Sequence, residues 1–285
     1  MNEEGQFALV TGASSGIGLA LCEELAKRGY SLLLVSNEEK ELNKTADRLQ
    51  DEYHVRAIPL CMDLAQTDSA AKLFDYCTAN NIVITILINN AGIFFFNDIV
   101  DTPPNRIASM ISLHVHTPAM LCRFFTGQMI RENRGGYILN IASIAAWMMM
   151  PGIALYSSTK SFVHCFSRAM RRETIDRGVS ITTVCPGAAA TGLYNLPERY
   201  MQLGIRLGII MPTQRLARLS LNKMFRRKAE YIPGGLLNRF FIFLVTALPE
   251  WMIRLIRRKI LKNLTQRHGG AEDTKEDSGV RRQQS

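Results

Sequence analysis

Tyr156-Ser-Ser-Thr-Lys160 puts a phenol and an ammonium four residues apart, a spacing that stacks both on one face of a helix. A fixed ammonium beside a tyrosine hydroxyl favours the phenolate and lowers a pKa that is roughly 10 in free solution. Such a pair gives or takes a proton near neutral pH. Ser143 stands thirteen residues upstream, directly after the strand-like run Tyr137-Ile-Leu-Asn-Ile-Ala. A glycine-rich segment, Thr11-Gly-Ala-Ser-Ser-Gly-Ile-Gly18, separates the apolar run Phe7-Ala-Leu-Val-Thr11 from a stretch of helical periodicity beginning at Ile17. Gly12, Gly16 and Gly18 allow a tight turn and a close approach of backbone to a ligand. The N–H groups at the helix start favour an anion such as a pyrophosphate. The spacing is Gly-x-x-x-Gly-x-Gly rather than Gly-x-Gly-x-x-Gly. Taken alone, it also suits an ordinary strand-to-helix turn.

Periodicity names the elements that must position these groups. Strand-like runs at 7–11, 31–36, 55–62, 84–89, 136–142, 180–185 and 229–233 alternate with helical stretches at 16–29, 38–52, 67–80, 104–132 and 155–177. That alternation specifies βαβ units and an α/β fold: a doubly wound parallel sheet of about seven strands with helices on both faces. Ligands of such sheets sit beyond the carboxyl ends of the strands, where each of these clusters falls. At 285 residues the chain suits one catalytic-sized domain. Six cysteines lack any Cys-x-x-Cys pair, so buried free thiols in a reducing, cytoplasmic compartment are expected. The N-terminus, Met-Asn-Glu-Glu-Gly-Gln, has acid and no apolar core, unlike a signal peptide.

Further motifs arrive in order. Asp63-Leu64 closes the third strand, Asn89-Asn-Ala-Gly92 follows the fourth, and Pro186-Gly187 follows Ile181-Thr-Thr-Val-Cys185, with Thr191 four residues beyond Gly187. With the glycine turn and Tyr-x-x-x-Lys, they resemble the short-chain dehydrogenase/reductase family, in its single-domain, Rossmann-type branch, over about residues 5 to 235. The resemblance implies an NAD(P)-dependent oxidoreductase that moves a hydride between nicotinamide and a carbonyl or alcohol carbon. It makes Tyr156 the general acid or base and Lys160 the cation that lowers the phenol pKa and holds the nicotinamide ribose. Ser143 becomes the group that places the substrate oxygen. It further implies cofactor contacts from Gly12, Ser14, Ser15, Gly16, Ile17 and Gly18 at the first turn and from Asn37 after the second strand. Asp63 and Leu64, then Asn90, Ala91 and Gly92, then Pro186, Gly187 and Thr191 complete that set, beside Tyr156 and Lys160 themselves. The implied division is a dinucleotide-binding catalytic domain at 1–235 with a substrate loop at 188–228, a basic apolar helical extension at 236–267, and a disordered tail at 268–285.

One residue departs from the family pattern. Members usually carry an asparagine on the long helix that supports a water relay to the lysine, whereas Leu113-His-Val-His-Thr117 places His114 there. A neutral imidazole both donates and accepts, so it suits a similar anchor, and it equally suits a core histidine in a slow or inactive enzyme. Cofactor choice turns on the end of the second strand, where an acid selects NAD and an arginine accepts a 2′-phosphate. Neutral Asn37 occupies that place, ahead of Glu38, Glu39 and Lys40. Without a carboxylate at 37 the reading favours NADP(H) over NAD(H).

Apolar residues flank the chemistry. Gly92 is followed by Ile-Phe-Phe-Phe96 and Ser143 by Ile-Ala-Ala-Trp-Met-Met-Met, and the substrate loop contains residues such as Leu193, Tyr194, Tyr200, Ile210 and Met211. They fit a lipophilic carbonyl or alcohol as substrate. From Arg206 to Arg267 the chain holds fourteen Lys or Arg and only two acids, Glu230 and Glu250. Phe240 to Leu248 is apolar but too short to span a bilayer. Beyond it, Ile253, Ile256, Ile260 and Leu264 alternate with a basic stripe at Arg254, Arg258 and Lys262. That pattern matches a helix lying on an anionic membrane surface, and also a helix packed on its own domain or on a partner subunit. The resemblance implies a homodimer or homotetramer paired through the helices at 104–132 and 155–177. Nucleic acid is not expected, because stacking aromatics do not interleave the basic residues, and the five histidines lack metal-ligand spacing. A catalytically weak, cofactor-binding scaffold docking through the basic end is the alternative to an enzyme.

Overall fold

The computed structural model describes residues 6–187 and 210–255, together with 199, 202 and 257. Period-two alternation builds the sheet. In β1 (Gln6–Thr11), Phe7 and Leu9 join one apolar layer while Ala8 and Val10 join the other, and all four are buried. Its neighbours repeat the pattern. Seven parallel strands run in the order β3 (Ala57–Cys61), β2 (Ser31–Ser36), β1, β4 (Val83–Asn89), β5 (Gly136–Ile141), β6 (Val179–Val184), β7 (Glu230–Tyr231). Strand order reverses between β1 and β4, which opens a crevice at their carboxyl ends.

Helices cover both faces. On one side α1 (Gly16–Ala26) and α2 (Glu39–Tyr53) bury Leu21, Leu25, Leu42 and Leu49 against Ala8, Val10, Leu32 and Leu34. On the other, α3 (Ser69–Ala79) and α5 (Thr117–Arg131) bury Leu73, Leu121 and Phe125 against Phe7, Leu9, Leu33 and Val35. Each such side chain contributes about 1.5–3 kcal/mol from removal of apolar surface from water. The doubly wound parallel sheet expected from the alternation is the fold observed.

Several boundaries differ from expectation. The stretch at 104–132 is not one uniform helix: α4 (Pro104–Ile111) passes through a π-helical segment, Ser112–His116, before α5 begins. Such an extra-residue turn leaves no signature in hydropathy, and these bulges favour functional positions. The stretch at 155–177 is α6 (Ala154–Thr174) with a 3-10 turn after it, and the last strand is only Glu230–Tyr231. The expected substrate loop contains a helix, α7 (Thr213–Phe225), whose Leu216, Ala217, Leu221 and Met224 join the α1 face of the core. Ile210 is buried too, and Met211 packs on that same cluster. The other residues proposed for this loop, from Leu193 to Ile209, lie outside the described residues, as does the tail at 268–285.

α8 (Gly235–Thr246) begins the expected extension, and a further helical stretch follows at 250–255. No helix among the described residues is long and apolar enough to cross a membrane. All six cysteines are free; Cys22, Cys77, Cys122 and Cys185 are buried, Cys61 and Cys165 exposed.

Candidate active site

A cleft of about 490 Å³ lies over the carboxyl ends of β1, β2, β4 and β5. Its floor at one end is the turn into α1. Gly12 and Gly16 adopt φ of 66° and 59°, in the left-handed region that side chains resist. A Cβ on Gly18 would stand 1.9 Å from the Gly12 carbonyl oxygen, so the third glycine holds the helix against the strand rather than lining the cleft. Ser15 precedes α1 with no side-chain cap, which leaves the first helical N–H groups open at the cleft.

Thr11 and Asn90 lock this turn to β4. The Thr11 hydroxyl accepts from the Asn90 and Ala91 N–H groups at 2.9 and 3.0 Å, and the Asn90 amide donates to the Thr11 carbonyl at 2.9 Å. The strand-end motifs at 11–18 and 89–92 are therefore one hydrogen-bonded unit. Asn37, Asp63 and Leu64 continue the lining beyond them. Glu38 lines the cleft as well; the Ser14 hydroxyl donates to its carboxylate at 2.8 Å, and its N–H donates to Ser36 Oγ at 3.2 Å. The sequence placed Glu38 one residue past the discriminating position, and nothing in its spacing announced the serine that turns it inward.

At the other end Ser143, Tyr156 and Lys160 meet in the same cleft. Ser143 stands two residues past β5, and its Oγ accepts from the Ala145 N–H at 3.1 Å, which fixes the hydroxyl at the start of the turn Ile144–Trp147. Tyr156 and Lys160 occupy successive turns of α6, with Lys160 Nζ 5.7 Å from the phenol ring centroid. Phe94 packs edge-on against that ring at 5.0 Å between centroids. Lys160 is 6 % exposed and donates to the Ile141 carbonyl at 3.1 Å. Burial pushes its ammonium down from 10.5 to about 8. Pro186 and Gly187 close this end, and Thr191 lies outside the described residues.

His114 has a definite place. It is 1 % exposed; Nε2 accepts from the Ile93 N–H at 3.0 Å, and Nδ1 lies 3.0 Å from Thr159 Oγ1. An accepting Nε2 puts the proton on Nδ1, which donates to Thr159, and Thr159 in turn donates to the Tyr156 carbonyl at 2.8 Å. Burial, and then the Lys160 charge, hold this imidazole well below its ordinary range, so it is neutral. Both ring nitrogens are used by protein, which leaves the side chain no site to anchor a water. Its role is to tie the 90–95 segment to α6 and thus to the phenol.

Of the apolar residues expected to wall a substrate pocket, Ile93 lines the cleft, while Phe94, Phe95 and Met148 pack on the cluster that contains Tyr156. Trp147 turns away and packs on His164 at 4.6 Å.

Comparison with known proteins identifies the family. A family model for short chain dehydrogenases matches residues 6–198. The chain is 31% identical to very-long-chain 3-oxoacyl-CoA reductase-B of Danio rerio over 250 residues, covering 83% of this chain and 79% of that one. It is 34% identical over 211 residues to reductase-A of the same organism, covering 69% of this chain and 65%, just under two thirds, of the relative. Among solved structures, a short-chain dehydrogenase from Sphingobium yanoikuyae in complex with NADPH superposes with a TM-score of 0.73 at 26% identity, covering 98% of each chain. The chain belongs to the short-chain dehydrogenase/reductase family.

Proposed function

We propose that this short-chain dehydrogenase/reductase reduces the keto group of a lipophilic 3-oxoacyl thioester, or oxidises the corresponding alcohol, with a nicotinamide dinucleotide as hydride carrier. The observation that carries the reading is the convergence of one hydroxyl, one phenol and one buried ammonium at the end of a glycine-floored cleft. The cleft suits a dinucleotide: open N–H groups at the start of α1 meet a pyrophosphate, and glycines leave room for it. Asp63 and Leu64 would hold its adenine end, Asn90 and Gly92 its middle, and Pro186 and Gly187 its nicotinamide end, all of them residues that line the cleft. When bound, the cofactor supplies or accepts the hydride.

The protein's own contribution is proton transfer and placement. Ser143 donates to the substrate oxygen and sets it against Tyr156. Tyr156 gives that oxygen a proton as the carbonyl is reduced and takes it back in the reverse direction. The phenolate left behind needs a cation, and Lys160 is held beside the ring by the Ile141 carbonyl. Over 5.7 Å, opposite unit charges attract by about 3 kcal/mol at an effective dielectric of roughly 20. The substrate class rests on the printed identity of the Danio rerio relatives and on the apolar side chains around Tyr156.

The cofactor is read as NADPH, as in the Sphingobium neighbour, with Glu38 working against its 2′-phosphate. Among the described residues Lys160 is the only lysine or arginine lining the cleft, and it sits at the opposite end, so NADH competes closely. Tyr156→Phe tests the reading. Fluorescence titration shows NADPH binding retained while turnover of a 3-oxoacyl thioester falls by at least ~10³-fold. Wild-type protein that binds the dinucleotide yet turns over no carbonyl substrate would establish the scaffold instead.

A further inference from the structure

Among the described residues eleven large hydrophobic side chains are exposed, and nine of them sit on three segments. The first, 96–101, carries Val100 at 85% exposure; the second, 148–152, carries Met149 at 80%; the third is α8 with the stretch after it, carrying Phe243 at 64% and Trp251 at 62%. The remaining two, Ile111 and Phe162, lie on α4 and α6, the helices where family resemblance expects a second copy.

The three segments adjoin one another and the cleft. Asn97 donates to the Gly152 carbonyl at 2.8 Å, and Phe96 packs against Gly152, which joins the first to the second. Arg257 pairs with Asp98 at 2.8 Å, which joins the first to the third. Ile242 of α8 packs with Ile144 and Trp147, in the turn that follows Ser143. The Asn238 amide stands 3.3 Å from where Gly187, a cleft residue, would carry a Cβ. Exposed apolar surface therefore borders the end of the cleft where Ser143 and Tyr156 lie.

Charge identifies what covers it. From 251 to 267 the chain carries Arg254, Arg257, Arg258, Lys259, Lys262 and Arg267 with no acidic residue. Arg254 is 77% exposed on the same helical stretch as Trp251, 4.0 Å from the similarly exposed Glu250, which leaves the stretch with a net positive charge. Exposed aromatics on a stretch whose sequence carries this excess of cations match the boundary between headgroups and acyl chains of an anionic bilayer. A second copy would bring the same positive charge against itself.

We propose that these three segments form one lipid-docking surface around the mouth of the cleft, so that the protein seats on an anionic bilayer and draws its acyl substrate directly from it. The docking stands on the surface alone; only the identity of the molecule drawn in rests on the function proposed above.

The test is cosedimentation of the full chain with vesicles, either pure phosphatidylcholine or equimolar phosphatidylcholine and phosphatidylserine. The full chain pellets with the mixed vesicles, binding weakens as salt is raised, and pure phosphatidylcholine retains little. Phe243→Ser combined with Trp251→Ser lowers affinity for the mixed vesicles by about tenfold or more, with an unchanged thermal melt. Arg254→Gln lowers it by roughly fivefold. In both variants turnover of a short, water-soluble 3-oxoacyl thioester is unchanged, while turnover of a long-chain one presented in vesicles falls. Vesicle binding without turnover of either thioester would sink the proposed substrate and leave the docking standing. Protein that stays in the supernatant, or variants that bind as well as wild type, would overturn the docking. So would a dimer that dissociates on Phe243→Ser and Trp251→Ser, since it would show that a second copy covers the surface.

Discussion

Replacing Lys160 by methionine should make the ligand-free protein more stable while removing its activity. The ammonium is 6 % exposed and keeps one protein hydrogen bond, to the Ile141 carbonyl at 3.1 Å. Burial lowers its pKa from 10.5 to about 8, so the folded protein holds this proton less tightly than the unfolded chain does. The charged form therefore costs stability in full below about pH 8 and progressively less towards 10.5, where the unfolded chain loses its proton too. The gap corresponds to about 3 kcal/mol. Methionine fills similar volume without charge but gives up the hydrogen bond, worth about 1 kcal/mol. The expected net gain is about 2 kcal/mol at pH 7, vanishing near pH 10. Urea unfolding of both proteins at the two pH values measures it, beside a turnover assay in which Lys160→Met is inactive. A variant less stable than wild type at pH 7, or a difference insensitive to pH, would refute the assignment of Lys160 as a buried, desolvated cation. Function that costs stability is the expected pattern at a site built around an isolated charge.

Other consequences follow from neighbouring residues. His114→Ala orphans the Ile93 N–H and opens a buried void, so urea unfolding should show a loss of about 2–4 kcal/mol, with His114→Asn recovering part of it through its amide. Because the folded imidazole is held neutral well below 6.5, the unfolded chain takes up more protons there; wild-type stability should fall as pH drops below about 6.5, and His114→Asn should lose less over the same range. Glu38→Gln removes the carboxylate held by Ser14, and the ratio of kcat/KM for NADPH over NADH should rise by about fivefold, the sense expected of one partly screened like charge. An unchanged ratio would show that Glu38 does not meet the adenosine ribose.

What could be read from residues alone, and what could not, divides along physical lines. Gly12, Asn90, Ser143, Tyr156 and Lys160 were legible because backbone conformation and proton chemistry admit few residue types, and parallel strands bring such positions to one edge whatever the loop lengths. α7 was hidden inside a supposed substrate loop, because Leu216, Leu221 and Met224 at helical spacing look the same facing a core as facing a ligand. Glu38 and His114 depend on partners distant in sequence, Ser14 and Thr159, and no local pattern carries that information. The π-helical turn at 112–116 is set by tertiary packing and left no trace in periodicity.

The central claim is that hydride and proton converge on one carbonyl at Ser143, Tyr156 and Lys160. Reduced cofactor deuterated on the transferred face of nicotinamide C4, incubated with a 3-oxoacyl thioester and analysed by mass spectrometry, tests it most directly. A single deuterium on the new hydroxyl-bearing carbon, absent with Tyr156→Phe, is the predicted result; product lacking the label, or labelled equally by the variant, would contradict it.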